Sequence, residues 1–204
     1  MLLTAENICK NYGMKQLVDD VTLYLNDGER IGLIGVNGTG KSTLLKILAG
    51  VEEPDSGRVT RDPNVQVSYL PQVPKINDEL TVLEQVFAGH PEEFRQLNEY
   101  EAKMMLTKLG ITDFDQKMGE LSGGQRKRVA LATVFVHPAD VLILDEPTNH
   151  LDSEMVVWLE QKLSKFTGGI VMVTHDRYFL ENVVTRIAEV SFGKMYLYEA
   201  NYSK

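Results

Sequence analysis

The feature that most constrains this 204-residue chain is a glycine-rich loop between a short apolar strand and an apolar-periodic helix. Residues 35–42 read Gly-Val-Asn-Gly-Thr-Gly-Lys-Ser, which fits the pattern G-x-x-x-x-G-K-[ST]. Glycines let backbone N–H groups converge on phosphate oxygens, and the following helix adds the positive end of its dipole. The spacing therefore predicts a phosphate-binding loop in an α/β fold.

The residues of this loop have distinct predicted roles. Lys41 places a cation near the β- and γ-phosphates of a nucleotide, and Ser42 offers a hydroxyl to Mg²⁺. Thr43 adds a further phosphate contact. Backbone groups at the remaining loop positions complete the cradle, and these positions are Gly35, Asn37, Gly38 and Gly40.

A second motif consists of an apolar strand, Val141–Leu144, that ends in the adjacent carboxylates Asp145 and Glu146. Ligands of open α/β sheets bind at the carboxyl ends of the strands. Asp145 is predicted to hold the Mg²⁺ shell, and Glu146 to polarise the water that attacks the γ-phosphate. An acidic turn after a strand is common, so this interpretation depends on the phosphate loop in the same chain.

The hydropathy pattern predicts an N-terminal β region followed by a parallel core sheet. Short strand patterns occur over residues 2–8, 17–25, 30–35, 58–60 and 65–70, and the last two are expected to extend the N-terminal sheet. Val141–Leu144 and Ile170–Val173 are continuous apolar runs, which are typical of parallel strands covered on both faces.

Between these regions the period becomes helical, from Leu80 to Gly110. Gly110 is expected to end a helix, because glycine is favoured just after a helix C-terminus. The pair Met104 and Met105 is expected to lie in the core. The histidines His90, His137 and His150 lack metal-ligand spacing and are interpreted as structural or exposed.

Composition limits the function classes. The chain has 21 Lys+Arg against 29 Asp+Glu, a net charge of −8, and 43% hydrophobic residues, which favours a folded domain without a general affinity for nucleic acid or anionic membranes. No apolar run approaches the roughly 18 residues that span a bilayer, and Met1–Lys10 is unlike a secretory signal. The lone Cys9 fits a reducing compartment, so a cytoplasmic location is expected.

The segment Leu121-Ser122-Gly123-Gly124-Gln125, with the following Arg126–Ala132, resembles the signature motif and helix of ATP-binding cassette (ABC) ATPases. Three further residues occur in the family's order: Tyr12 resembles the aromatic residue that stacks on adenine, Gln72 the glutamine that senses Mg²⁺, and His175 the switch histidine. The resemblance covers essentially the whole chain.

This resemblance implies a P-loop ATPase core of ABC type, an antiparallel β subdomain, and a helical subdomain near residues 76–135 that carries the signature motif. It implies MgATP hydrolysis with Lys41, Glu146 and His175 as catalytic residues. The implied Mg²⁺ ligands are Ser42, Gln72 and Asp145. In the family, the residues matching Ser122, Gly123, Gly124 and Gln125 close over ATP held by a partner cassette, so a second cassette is the expected partner.

Two stretches resemble the ABC-F branch, whose members are soluble tandem cassettes that mostly act on ribosomes. They are Asp145–Asp152 and Thr174–Leu180. The end of the chain, from Gly193 through Tyr198 to Asn201, Tyr202 and Ser203, resembles the end of a first ABC-F cassette. The chain is therefore interpreted as one nucleotide-binding domain, residues 1–204, within a longer tandem protein. The expectation that this longer protein binds the ribosome or its RNA rests on the family resemblance alone.

Some features depart from that branch or leave alternatives open. Only 48 residues separate Gln72 from Leu121, which leaves little room for the helical arm of some first cassettes. The basic run Arg126–Arg128 is interpreted as a solvated helix face rather than an RNA site. The alternatives are the ATPase subunit of a membrane transporter and a binding module gated by nucleotide. A DNA-repair or chromosome-structure ATPase is disfavoured because no coiled-coil heptads interrupt the chain.

Overall fold

The computed structural model describes residues 1–199, in which strands and helices alternate through most of the chain. The strands are β1 Leu3–Tyr12, β2 Lys15–Leu25, β3 Arg30–Ile34, β4 Ser56–Arg61, β5 Val67–Leu70, β6 Val141–Asp145, β7 Gly169–Val173, β8 Arg186–Ser191 and β9 Lys194–Glu199. The helices are α1 Lys41–Leu48, α2 Val82–Val86, α3 Glu92–Lys108, α4 Gly123–Val136, α5 Ser153–Lys165 and α6 Arg177–Val183.

The larger sheet has the order β5-β6-β7-β3-β8-β9, parallel except for β9. All residues of β6 and β7 are buried, as their unbroken apolar runs predict. Asp145 pairs in register with Val173, and Leu33 pairs with the same residue from the other side. The carboxyl ends of β3, β6 and β7 are therefore level, so the residues that follow them meet at one edge.

The smaller sheet is antiparallel, with the order β2-β1-β4. The prediction that residues 58–60 extend this sheet is confirmed by β4, whereas the same prediction for residues 65–70 is wrong. β5 instead pairs in parallel with β6, with Leu70 opposite Leu144. The difference matters for the site, because it brings the segment after β5 to the carboxyl edge of the core sheet.

The described chain falls into two units. The first contains both sheets and comprises Met1–Gln72, Ala139–Pro147 and the residues from Glu160 onward. The second comprises Val73–Pro138 and Thr148–Leu159. It is helical and includes the beginning of α5 as well as the stretch near residues 76–135 assigned to a helical subdomain from sequence.

The second unit packs around buried residues of α2, α3 and α4, among them Val86, Leu106 and Val129. Gly110 follows the end of α3 as predicted. Met105 is buried, but Met104 is 51% exposed, so the core prediction is wrong for that methionine. The two residues are adjacent on a helix and thus point in directions about 100° apart, so that only one of them can face the core.

Two sequence expectations reach the limits of the described chain. The terminal match at Asn201, Tyr202 and Ser203 lies outside residues 1–199. Across those described residues, no helix is both long and apolar enough to cross a membrane.

One partly buried histidine in the helical unit gives a pH-dependent stability. Burial, followed by the charge of the nearby His90, lowers the pKa of His137, partly offset by a hydrogen bond with the Val86 backbone. A lowered pKa in the folded state means that the unfolded chain binds the proton more readily. Stability is therefore lost as the pH falls below about 6.5 toward the lowered pKa.

We expect His137→Gln to flatten this part of the stability profile. The measurement is the urea midpoint of unfolding between pH 8 and pH 5, for the wild type and the variant. The wild-type midpoint should fall more steeply than that of the variant between pH 7 and 5. Parallel profiles would contradict the role assigned to His137.

Candidate functional site

The phosphate loop is clamped between backbone carbonyls of two strands. A Cβ on Gly35 would collide with the carbonyl oxygen of Val190, at the end of β8. A Cβ on Gly40 would lie 2.5 Å from the carbonyl oxygen of Leu17 in β2, and Gly40 has a φ of 89°. Both positions therefore require glycine, for space and for backbone conformation.

Lys41 begins α1 and lies under the loop, with only 7% of its surface exposed. Its ammonium group donates a hydrogen bond of 2.5 Å to the carbonyl oxygen of Gly35. Burial lowers the pKa of Lys41, and the charges of Glu146 and Asp145 oppose that shift. The two carboxylates thus favour the charged form of Lys41, which leaves a cation at the base of an anion-binding loop.

Asp145 and Glu146 occupy the carboxyl end of β6 and are both buried. Glu146 has a φ of 51°, a left-handed conformation that is strained for a residue with a side chain. Its amide donates to the carbonyl oxygen of Val173 at 2.7 Å, which ties the strained turn to β7. The strand ends therefore fix where this carboxylate lies.

His175 holds both carboxylate oxygens of Glu146. Its Nε2 lies 3.2 Å from Oε1, and its backbone amide donates to Oε2 at 3.3 Å. The imidazole is 60% exposed, while the Glu146 side chain is 7% exposed. The pair consequently combines a buried, oriented carboxylate with a histidine that solvent or a ligand can reach.

The remaining predicted magnesium and phosphate ligands of the first unit lie after strands β3 and β5, at the carboxyl edge of the larger sheet. Ser42 and Thr43 lie in the first turn of α1, whose amides have no acceptor within the helix. Gln72 follows β5, two residues after Leu70. Carboxylate, hydroxyl and amide oxygens are the donors that Mg²⁺ prefers, so Asp145, Ser42 and Gln72 suit that ion chemically.

Tyr69 is a neighbour of this site that no sequence motif predicts. Its hydroxyl is buried without a hydrogen-bond partner among the described residues. Burial, together with the charges of Asp145 and Glu52, raises the pKa of Tyr69 to about 12, so the group stays protonated. Tyr69 has no motif of its own; the only signal was its position three residues before Gln72 in β5.

Tyr12, predicted to stack on a base, ends β1 and is half exposed. Its hydroxyl donates to Glu52, and the ammonium of Lys10 lies 5.7 Å from the ring centroid. Lys10 in turn is 3.7 Å from Glu52 and 3.3 Å from Asp55. The ring is thereby held at the surface of the antiparallel sheet by its contacts with Glu52 and Lys10.

The signature segment belongs to the second unit and begins α4. Helix α4 begins at Gly123, with Ser122 as its N-cap. Ser122 Oγ accepts from the Gln125 amide at 3.2 Å, and the Gln125 side chain accepts from the Ser122 amide at 2.9 Å. This capping box fixes the loop and leaves the amides of Gly123 and Gly124 in the first turn.

The basic run after the signature is not a solvated face, contrary to the sequence interpretation. Lys127 is buried, and the Arg126 guanidinium donates to the carbonyl oxygens of Leu121 and Gly119, both at 3.2 Å. Arg128 donates to the carbonyl oxygen of Leu109 at 2.9 Å. Arg126 thus braces the segment before the signature, and Arg128 ties α4 to the end of α3, which argues against a nucleic-acid role for the run.

A cavity of about 730 Å³ in the first unit opens beside the phosphate loop. Loop residues line one side, and Thr174 and His175 at the end of β7 line another. Cationic side chains reach it from three segments, and they are Lys15, Lys41 and Arg177. Among residues 1–199 no three His, Cys, Asp or Glu side chains converge as a metal site, so any metal here would rely on one carboxylate with neutral oxygens.

The clamp around the loop predicts that Gly40→Ala abolishes nucleotide binding. The added methyl group would collide with Leu17 and would hold an alanine at a positive φ, so unfolding should become easier by more than about 2 kcal/mol. Gly50→Ala is the matched control, because Gly50 also has a positive φ (77°) but nothing within 4 Å of its Cβ position.

The control should lose about 1 kcal/mol and keep binding. Denaturant unfolding and equilibrium titration with a nucleotide measure the two effects. Equal behaviour of the two variants would show that the close approach to Leu17 is unimportant.

Comparisons with known proteins identify the family and the fold. A sequence profile of the ABC transporter family matches residues 18–149. Two solved structures share the fold. The first is an ATP-binding subunit of an ABC transporter, with a TM-score of 0.85 and 23% identity; the match covers 98% of this chain and 90% of that one. The second is a dimeric ATP-binding cassette in a post-hydrolysis state with ADP and phosphate, with a TM-score of 0.83 and 24% identity; the match covers 97% of this chain and 98% of that one.

Curated relatives are longer than this chain. An uncharacterised ABC transporter ATP-binding protein of Bacillus subtilis, YfmR, is 43% identical over 238 residues, which cover 98% of this chain and 38% of the relative. The energy-dependent translational throttle protein EttA of Escherichia coli is 37% identical over 227 residues, with coverage of 93% and 41%. That of Mycobacterium tuberculosis is 36% identical, with coverage of 99% and 43%.

The chain thus spans about two fifths of the length of these relatives. It contributes about 200 of the 238 positions aligned with YfmR, so about 38 residues of that protein have no counterpart here. The matched profile covers more than half of the chain, including the phosphate loop and both carboxylates. The chain belongs to the ABC transporter family, as an ATPase domain of the ATP-binding cassette fold.

Proposed function

We propose that this chain is one nucleotide-binding cassette that binds MgATP and hydrolyses it to ADP and phosphate. The observation that carries the proposal is the charge arrangement at the sheet edge: buried Lys41 under the loop, coupled to Asp145 and Glu146, with Glu146 held by His175. A buried cation beside two carboxylates and an anion-binding loop supports phosphoryl chemistry.

Mg²⁺ would be held by Ser42, Gln72 and Asp145, and when bound it supplies charge neutralisation for the phosphates. Lys41 adds a fixed positive charge at the same place. Backbone amides of Gly35, Asn37, Gly38 and Gly40, with the first turn of α1 that includes Thr43, orient the phosphate oxygens.

Glu146 orients the attacking water and accepts its proton as the bond to phosphorus forms. Two contacts with His175, one to each carboxylate oxygen, fix the orientation of the buried Glu146 side chain. A fixed carboxylate can hold the water in line with the bond that breaks, as in-line attack requires. The exposed imidazole of His175 can also donate to a γ-phosphate oxygen. Tyr12 offers an aromatic face to adenine at the end of β1.

The proposed partner is a second cassette, in the same full-length protein or in a second copy. Ser122, Gly123, Gly124 and Gln125 would close over the phosphates that the partner binds, using amides at the start of α4. The similar solved cassette in a dimeric post-hydrolysis state supports this arrangement. ATP would then favour the closed state because only that state contacts its phosphates from both sides.

Glu146→Gln should retain ATP binding but lower the turnover number by about 100-fold or more, because the amide cannot accept the proton. The variant should also accumulate in the closed state with ATP. Steady-state ATPase rates and ATP binding measure the split, with the exposed Glu101→Gln on α3 as control. An unchanged turnover number would remove Glu146 from the mechanism.

We further propose that the full-length protein is a tandem-cassette ABC-F protein that acts on ribosomes in the cytoplasm. Similarity to proteins named for translational throttling supports this, as does the 93–99% coverage of this chain by those alignments. The chain would then be a single cassette of a longer protein. The residues missing relative to YfmR and the short span from Gln72 to Leu121 favour a protein without a long arm in this cassette.

A membrane transporter subunit is the second candidate function. The observations in its favour are that YfmR is named as an ABC transporter ATP-binding protein and that the fold is shared with the ATP-binding subunit of an ABC transporter. Both candidates use the same ATPase chemistry and differ in what the full-length protein binds.

Cosedimentation of the full-length Glu146→Gln protein with purified ribosomes, and separately with membranes, distinguishes the two. We expect ATP-dependent recovery with ribosomes, because the variant holds the closed state. The wild-type protein in ADP is the control and should remain in the supernatant. Recovery with membranes alone would assign the protein to a transporter.

A further inference from the structure

Lys15, at the start of β2, extends over the phosphate loop from the antiparallel sheet. Its Nζ lies 3.6 Å from the point where a Cβ on Gly38 would stand, and no other heavy atom comes within 4 Å of that point. Lys15 also lines the 730 Å³ cavity together with Gly38, Thr39 and Lys41. A second ammonium group therefore faces the same concave surface as Lys41.

This surface favours an anion. The loop amides and the N-terminal end of α1 present positive partial charges, and the cavity lining holds the cations Lys15, Lys41 and Arg177 against one carboxylate, that of Glu189. Within residues 1–199 Lys15 forms no ion pair. Lys10, in the neighbouring strand, shows the alternative, because it lies 3.7 Å from Glu52 and 3.3 Å from Asp55.

The two cations at the loop differ in their surroundings. Lys41 is buried, bonded to Gly35, and coupled to the carboxylates that would carry out hydrolysis. Lys15 is exposed, and its ammonium group lies beside Gly38. Gly38 precedes Lys41 by three residues in the loop. Lys41 therefore belongs with the carboxylates at the sheet edge, whereas Lys15 faces the loop at Gly38 from the antiparallel sheet.

On this basis, which rests on the proposed ATPase function, we propose that Lys15 binds the non-transferred phosphates of the nucleotide and sets affinity for ATP and ADP alike. An interaction made equally before and after hydrolysis is uniform binding, which changes KM and leaves kcat unaltered. Lys15 is in this sense a binding residue, and it takes no part in activating water.

The test compares Lys15→Gln, Lys15→Arg and wild type in the full-length protein, by calorimetric titration with MgATP, MgADP and inorganic tripolyphosphate. The substitutions change this cassette and leave the proposed second cassette intact, so any difference in binding from wild type is assigned to this cassette. Lys15→Gln should weaken binding of all three by about fivefold, the scale of an exposed charge pair. Lys15→Arg should restore most of the affinity, and the ATPase KM should rise with kcat unchanged.

Lys165→Gln is the matched control, because it removes the same charge from an exposed lysine at the end of α5, before β7 begins, and so at the opposite end of that strand from His175. Wild-type affinities in Lys15→Gln, or a loss confined to ATP, would overturn the inference alone. Nucleotide binding that survives Lys41→Ala unchanged, or is absent in wild type, would overturn the proposed function and the inference together. Tripolyphosphate separates a phosphate contact from one to ribose or base.

Discussion

The phosphate loop can exist in its present shape only because two carbonyl groups of neighbouring strands leave room for hydrogen and nothing larger. Gly35 lies against Val190 at the end of β8, and Gly40 lies against Leu17 in β2. The loop therefore depends on both sheets of the first unit at once. A further bond, from the Asp19 amide to the carbonyl oxygen of Gly193 at 2.8 Å, joins β2 to the turn after β8 and keeps the two sides of the clamp together.

Strand register converts this local constraint into a site. Because Val173 is level with Asp145 on one side and Leu33 on the other, three segments distant in sequence end at the same height. The left-handed turn at Glu146 stores strain there, and Val173 and His175 hold it in place. Such strain is tolerated because the turn follows the fully buried strand β6 and is hydrogen-bonded to the fully buried strand β7, which together fix its backbone.

The sequence predicted best those features whose signal is local. The loop of residues 35–42, the two apolar strands and the strand-end carboxylates each occupy a few consecutive residues, and the structure has the loop and strands where they were expected. Sheet membership of residues 65–70 could not be predicted in this way, since the partner of β5 is β6, more than 70 residues away in sequence, and a short strand carries no local sign of its partner. The prediction that Arg126–Arg128 form a solvated helix face was wrong because long basic side chains can fold back onto backbone carbonyls, as that of Arg126 does onto Leu121. Tyr69 and Lys15 reach the site only through the fold, from strands with no motif.

The start of α4 shows why two glycines follow the signature serine. The capping box already uses the Ser122 hydroxyl and the Gln125 side chain for each other's amides. The first-turn amides that the box does not satisfy belong to Gly123 and Gly124. A Cβ at Gly123 would enter open space, so its glycine is not required by packing in this unit; a Cβ at Gly124 would come within 3.3 Å of the His150 side chain. Absence of a side chain at Gly123 instead exposes a backbone donor at the positive end of a helix, which is the property that an incoming phosphate needs.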